Sequence, residues 1–301
     1  MNIGFIGIGN MGKPIAANLL RAGYAVVVSS AFGNEKPATE LAALGAQVVT
    51  TIKEIILKAE ILITVLPADK QILDVYLGPD GVLENLANGS LCIEMTSAKG
   101  ETLKHVADEA HKRERQYAFI DAPVSGGVDS ATAGTLTIMV SGNKEALERG
   151  LPILQVIGKK IIQTGTELGN AKSIKMLNQM LNAGNTCIAC EVLYLADQLG
   201  IDYELLHSVV NESSGNSWIF ANNVPKHIIP KQFEGGFKLE LMKKDVGLAI
   251  EQIDHGNLSM PLTKLVYQVL TDEMENGHGQ NNYNIISNWI RRKNESTSND
   301  Q

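Results

Sequence analysis

Residues 2–21 set a short apolar run of strand type, Asn2 to Ile6, directly before Gly7-x-Gly9-x-x-Gly12 and an amphipathic stretch from Pro14 to Leu20. Strand, tight turn and helix in that order open a βαβ unit, which commits the chain to a parallel sheet. Gly7 has to turn tightly, Gly9 has to let a ligand approach the backbone, and Gly12 has to let the helix lie on its own strand. With Asn10 and Met11 these glycines form a loop at a helix N-terminus, where N–H groups and a partial positive charge suit a pyrophosphate. An ordinary βα turn uses the same glycines, but the flanking strand and helix favour a dinucleotide site.

The alternation of short apolar runs with helical patterns continues to residue 162. Strands are expected at 2–6, 25–29, 47–50, 61–66, 91–95, 119–122, 136–140 and 160–163, the last of them following Gly134 and Gly158 and running antiparallel at the sheet edge. After Gly169 only helical patterns remain, at 170–199, 203–211, 218–223, 239–255 and 261–276. The expected fold is α/β: an N-terminal doubly wound sheet of Rossmann type, then an all-α C-terminal domain joined to it by a long helix. The boundaries are 1–162 for nucleotide binding and 163–292 for substrate and dimerisation, with the site in the cleft between them. The polar stretch 293–301 is expected to be a flexible tail.

Lys and Arg number 26 against 33 Asp and Glu, a net charge of −7, and the basic residues form no run, which argues against a nucleic-acid partner. Three cysteines, Cys92, Cys187 and Cys190, are too few for a disulfide framework and fit a reducing compartment. Cys187 and Cys190 spell C-x-x-C, yet they fall inside a helical pattern, so helix packing is favoured over redox chemistry. No segment approaches the length of a membrane span and no basic region precedes the apolar start, which points to a cytoplasmic protein. The histidines show no metal-ligand spacing, so no metal is expected.

Three segments carry candidate chemistry. Asp121-Ala-Pro-Val-Ser125-Gly126-Gly127 follows a strand, and its glycines and hydroxyl make a nest of N–H donors suited to a carboxylate. A simple turn uses the same residues. Within the long helix Lys175, Gln179 and Asn182 stand at i, i+4 and i+7 and share one face. Turned toward water that stripe is an ordinary solvated surface; turned inward, Lys175 becomes a general acid or base. Lys172 and Asn178 look less well placed. Lys244-Asp245 is a third candidate, a cation with an orienting carboxylate, although paired lysines such as Lys243 and Lys244 also suit a solvent face.

Taken together these blocks resemble the β-hydroxyacid dehydrogenase family, which includes 3-hydroxyisobutyrate dehydrogenase, tartronate semialdehyde reductase and the 6-phosphogluconate dehydrogenases. The resemblance covers nearly the whole chain and rests on four blocks in order: Gly4 to Leu19, Asp121 to Val140, Gly169 to Gln179 and Phe237 to Ala249. It implies an NAD- or NADP-dependent oxidoreductase that passes a hydride between nicotinamide and a small anionic hydroxy acid of three or four carbons. Lys175 would be the catalytic acid/base, and Ser125, Gly126, Gly127, Asn178 and Gln179 would meet the substrate. Gly7, Gly9, Asn10, Met11, Gly12, Leu66, Pro67, Thr96 and Lys244 would meet the cofactor, while Ser30, with Ser29 and Lys36, offers groups for a phosphate where the chain departs from the family. It also implies a homodimer or higher homo-oligomer.

Two departures stand out. The family has Asn where this chain has Gln179, and Lys-x-x-x-Gln with Gly215-Asn-Ser-Trp218-Ile-Phe resembles the branch of L-threonate dehydrogenase. At the end of the second strand, Val28-Ser29-Ser30-Ala31 lacks both the acid that binds an NAD ribose and the Arg that binds a 2′-phosphate, so the cofactor choice stays open. The competing classes are a non-catalytic NAD(P)-binding interaction protein and an imine reductase; retention of Lys175 argues against both.

Overall fold

The computed structural model describes residues 1–31 and 33–298, with side chains described to residue 294. Two compact units divide the chain, Met1–Lys175 and Met176–Gln301.

In the first unit β1 (Asn2–Ile6), α1 (Gly12–Arg21), β2 (Ala25–Ser29), α2 (Glu35–Ala42) and β3 (Gln47–Val49) alternate, followed by α3 (Ile52–Lys58), β4 (Ile61–Thr64), α4 (Asp69–Leu77) and α5 (Val82–Asn85). Then come β5 (Leu91–Glu94), α6 (Gly100–Lys112), β6 (Ala118–Asp121), β7 (Val124–Ser125), α7 (Gly127–Ala133), β8 (Leu136–Val140), α8 (Lys144–Ile157) and β9 (Gly158–Gln163). Six strands form one parallel sheet in the order β3-β2-β1-β4-β5-β6. The chain therefore works outward from β1 in one direction, crosses over, and works outward from β4 in the other. That reversal opens a crevice at the C-terminal ends of β1 and β4, the usual ligand position in such sheets.

The strands are apolar on both faces because helices cover both. Ile3, Phe5, Val26, Val28, Ile61, Ile63 and Ile93 pack with Ile15 and Leu19 of α1 and Ile153 and Leu154 of α8. Val27, Leu62, Cys92 and Phe119 point the other way, onto Ile55 and Ile56 of α3, Tyr76 of α4 and Leu103 of α6. The alternation along each strand is the period of two that pleating imposes.

The remaining strands correct the expectation of an antiparallel edge. β7, β8 and β9 form a sheet of their own, in which β8 is antiparallel to β7 but parallel to β9. The isolated antiparallel bridge between Asp121 and Ser141 ties this sheet to the end of β6. β7 is only two residues long, too short to leave a pattern in the sequence.

The second unit is helical. α9 (Asn170–Gln198) begins in the first unit and is followed by α10 (Tyr203–Asn211), α11 (Trp218–Asn223), α12 (Leu239–His255), α13 (Pro261–Glu275) and α14 (Ser287–Ser298). Asp202 and Ser217 cap α10 and α11 by accepting the N–H groups of Leu205 and Phe220. The core gathers Leu193, Phe220, Val224, Leu239, Met242, Val246, Leu270, Tyr283 and Ile286. The polar stretch from Lys293 continues α14 to Ser298, and 299–301 lie outside the described residues. Cys187 and Cys190 are unbridged, and burial pushes the Cys187 thiol up to about 12 and raises that of Cys190 well above the ordinary thiol range, which keeps both as packed thiols. Among the described residues no helix is long and apolar enough to cross a membrane, and no group of three His, Cys, Asp or Glu is placed to hold a metal ion.

Candidate active site

Each glycine of the first loop meets a different physical demand. Gly7 sits at φ +97°, and a Cβ there would collide with the Val65 carbonyl at the end of β4. A Cβ on Gly12 would strike the Gly7 carbonyl and approach Phe5 Cε1 at 3.1 Å, so α1 lies directly on its own strand. Gly9 is exposed, and a Cβ there would meet nothing within 4 Å. The protein itself asks for no glycine at that position, and the open space leaves room for a ligand to approach the backbone. The Met11 side chain makes no capping hydrogen bond at the start of α1, so the helix N-terminus faces the same place without a side-chain lid. An open cradle with these donors fits a dinucleotide pyrophosphate.

Across the crevice, Leu66 and Pro67 follow β4 and Thr96 follows β5. The Leu66 N–H donates to Thr96 Oγ1 at 2.8 Å, and Thr96, itself buried, donates its N–H to Glu94 Oε1 at 3.1 Å. The parallel order β1-β4-β5 thus brings Gly7, Leu66 and Thr96 to neighbouring strand ends. Ser30 stands apart, at the end of β2, with its hydroxyl 3.4 Å from the Val49 carbonyl. Ser29 is buried and accepts the Ala31 N–H at 3.0 Å.

The segment after β6 enters β7 at Ser125 and turns at two glycines in the left-handed region, Gly126 at φ +133° and Gly127 at φ +68°. A Cβ on Gly126 would lie 2.6 Å from Ser130, while Gly127 faces open space. Gly126 and Gly127 are therefore required by backbone conformation, and their N–H groups stand at the start of α7.

Lys175 is 7% exposed, so its side chain belongs to the interior rather than to a solvated face. The same is true of Gln179 at 2%. In the second unit Gln179 Nε2 donates to Asp245 Oδ2 at 2.8 Å and Gln179 Oε1 accepts from Asn178 Nδ2 at 3.2 Å. Lys244 Nζ lies 3.1 Å from Asp245 Oδ1. The buried Asp245 therefore joins the Gln179 carboxamide and the Lys244 ammonium. Further along α9, Asn182 Oδ1 accepts the Tyr283 hydroxyl at 2.8 Å.

Sequence reasoning set Lys172 aside as less well placed than Lys175, and the structure gives it a central position. Its side chain is wholly buried, with Nζ in an ion pair with Glu94, 2.9 Å from Asp121 Oδ1 and 2.9 Å from the Thr96 carbonyl. Burial opposes the ammonium charge, but Asp121 and Glu94 outweigh it and carry its pKa to about 12. A signal was present: Glu94 ends an otherwise apolar strand, and a carboxylate buried in a parallel sheet needs a cation.

Residues 2–165 match the model of the NAD binding domain of 6-phosphogluconate dehydrogenase. Residues 169–289 match that of the NAD-binding domain of NADP-dependent 3-hydroxyisobutyrate dehydrogenase. The chain is 34% identical to 2-(hydroxymethyl)glutarate dehydrogenase of Eubacterium barkeri, over 96% of its own length and 95% of that protein's. It is 32% identical to NAD-dependent L-serine dehydrogenase of Pseudomonas aeruginosa, over 94% and 96%. The solved structure of Mycobacterium tuberculosis 3-hydroxyisobutyrate dehydrogenase with L-serine superposes with a TM-score of 0.87 at 29% identity, covering 96% of this chain and 99% of that one. Matched along both halves and in nearly its full length, the chain belongs to the β-hydroxyacid dehydrogenase family, among the relatives of 3-hydroxyisobutyrate dehydrogenase.

Proposed function

We propose that the protein is an NAD(P)-dependent dehydrogenase of a small hydroxy acid, with Lys175 as its general acid/base. The observation that carries the reading is the burial of Lys175 on α9, in the chain that also builds the open glycine cradle. The relatives named above act on L-serine and on 2-(hydroxymethyl)glutarate, and 3-hydroxyisobutyrate names the third. All three acids bear a hydroxymethyl group on the carbon next to a carboxylate, so the proposed substrate class is a 3-hydroxy acid of that pattern.

Gly7 to Gly12, with Asn10 and Met11, hold the pyrophosphate, and Leu66, Pro67 and Thr96 line the nicotinamide side, with Ser30 and Lys244 as further cofactor contacts. When bound, the nicotinamide supplies the hydride acceptor for oxidation or the donor for reduction. Ser125 and the N–H groups of Gly126 and Gly127 hold the substrate carboxylate. Lys175 Nζ takes the hydroxyl proton as the alcohol carbon is oxidised and returns a proton to the carbonyl oxygen in reduction. Asn178 and Gln179 orient the reacting hydroxyl, the longer arm of Gln179 being braced by Asp245. The domain roles follow the same division, 1–162 for the cofactor and 163–292 for substrate and dimer contacts.

The partner is a second copy of the chain. Ile174, Leu181, Ile188 and Leu195 recur every seven residues along α9 and are 41%, 68%, 54% and 58% exposed, an apolar stripe longer than a monomer needs.

The test is turnover by the purified protein of 3-hydroxyisobutyrate, L-serine, 2-(hydroxymethyl)glutarate and L-threonate, each with NAD+ and with NADP+. Lys175→Met should lower kcat by about 10²–10⁴-fold on whichever acid is used. Undiminished turnover in that variant overturns the assignment.

A further inference from the structure

Glu94 at the end of β5, Asp121 at the end of β6 and Lys172 in the first turn of α9 are charged side chains with no exposure at all. Buried ions persist only when their partners are built in, and here Glu94 and Lys172 both meet Thr96 while Asp121 meets the start of the helix that carries Lys175. Asp121 Oδ2 accepts the N–H groups of Gly169 and Lys172, each at 3.1 Å. The Ser141 hydroxyl donates to the same oxygen at 3.4 Å while accepting the Ala171 N–H at 3.3 Å. The donors that a helix leaves unsatisfied at its N-terminus are thus taken up by the end of β6 and the residue that follows β8. The Lys172 ammonium closes the arrangement from the other side. It pairs with Glu94, whose Oε1 holds the Thr96 N–H, and donates to the Thr96 carbonyl, while the Thr96 hydroxyl holds Leu66. The backbone of Gly100 sets the spacing, since a Cβ there or on Gly169 would come within 2.7 Å of the other's carbonyl oxygen.

We infer that Lys172 is a positioning residue: its buried ammonium fixes the first turn of α9 against the ends of β5 and β6, and so fixes Lys175, one turn further on, relative to Thr96 and Leu66. The inference rests on the reading of Lys175 as acid/base and of Leu66 and Thr96 as the nicotinamide wall. Stability alone does not separate positioning from mere packing, because losing the cation that Asp121 Oδ1 meets at 2.9 Å destabilises the unit in either case. Catalysis does separate them.

The decisive variant is Lys172→Met with Glu94→Gln, which removes one positive and one negative charge and leaves the net charge of the cluster as it was. It is compared with wild type on the best acid of the panel, with protium and with deuterium at the alcohol carbon, and circular dichroism and cofactor titration report folding and cofactor binding. A misplaced acid/base predicts cofactor affinity within about threefold of wild type and kcat lower by about 10²-fold. It also predicts a larger deuterium isotope effect on kcat, because hydride transfer becomes the slow step. Wild-type kcat and isotope effect in the folded double variant overturn the inference. If that variant does not fold, Ser141→Ala decides, since it removes the hydroxyl that accepts the Ala171 N–H and ties the same turn to Asp121; a severalfold fall in kcat is expected, and wild-type kcat overturns the inference. Lys175→Met is assayed alongside. Turnover by Lys175→Met refutes the acid/base reading, whereas an inactive Lys175→Met with a wild-type double variant refutes the role of Lys172 alone.

Discussion

Gly9 and Gly12 are two residues of one motif that answer to different partners. Gly12 is fixed by the protein, since its Cβ would strike the Gly7 carbonyl, while Gly9 has open space around it. Gly12→Ala should therefore lower folding stability by about 1–3 kcal/mol, the ordinary penalty of overpacking. Gly9→Ala should leave stability within about 0.5 kcal/mol and weaken the cofactor by at least about tenfold. Thermal melts and cofactor titration of the two variants check this, and a destabilised Gly9→Ala with normal cofactor affinity would contradict the placement of the cradle. The motif was legible in the sequence because backbone geometry demands Gly7 and Gly12 and close ligand approach favours Gly9 at a fixed spacing from them. Lysines were not, because a charged side chain says nothing of its burial. Lys172, Lys175, Gln179, Asn182 and Thr186 follow the 3-4-3-4 spacing of one helical face, so carrying the stripe back by three residues from Lys175 reaches Lys172.

α9 as an element departs from the usual amphipathic helix, because polar side chains share its buried side with Ala183, Cys190 and Leu193. Lys172, Lys175, Gln179 and Thr186 of its polar stripe are buried, and its apolar stripe of Ile174, Leu181, Ile188 and Leu195 is exposed. Periodicity in the sequence marks both stripes but cannot say which one turns inward, because tertiary partners decide that. The double substitution Leu181→Glu with Ile188→Glu should give a protomer near 32.5 kDa by light scattering, where the wild type gives a multiple of that mass. A monomeric wild type at micromolar concentration would remove the case for the second copy. Strands Asn2–Ile6, Ala25–Ser29 and Leu136–Val140 and helices Tyr203–Asn211, Trp218–Asn223 and Leu239–His255 stand where the hydrophobic pattern puts them. α14 left no such pattern: much of its length is polar, and what pins it is the Trp289 indole on Asp272 at 2.9 Å and the pairing of Arg292 with the buried Glu273.

For the molecule as a whole, the pattern of the sequence changes at residue 162 but the first compact unit runs on to Lys175. The difference is the first turn of α9, whose docking depends on ions that periodicity does not register. A chain ending at Met176 should melt at a higher temperature and more cooperatively than one ending at Gln163, which retains Glu94 and Asp121 without their cation. Equal melting would show that the turn adds nothing to the unit. The same buried cluster also orders events during synthesis. Glu94 is made 78 residues before Lys172 and Asp121 51 residues before it. At a ribosomal rate of about 5–20 residues per second, Glu94 waits roughly 4–16 s for its counter-ion. Until then the ends of β5 and β6 carry two acids without their cation, so the rim beside the nucleotide crevice waits for the first turn of α9 to be made.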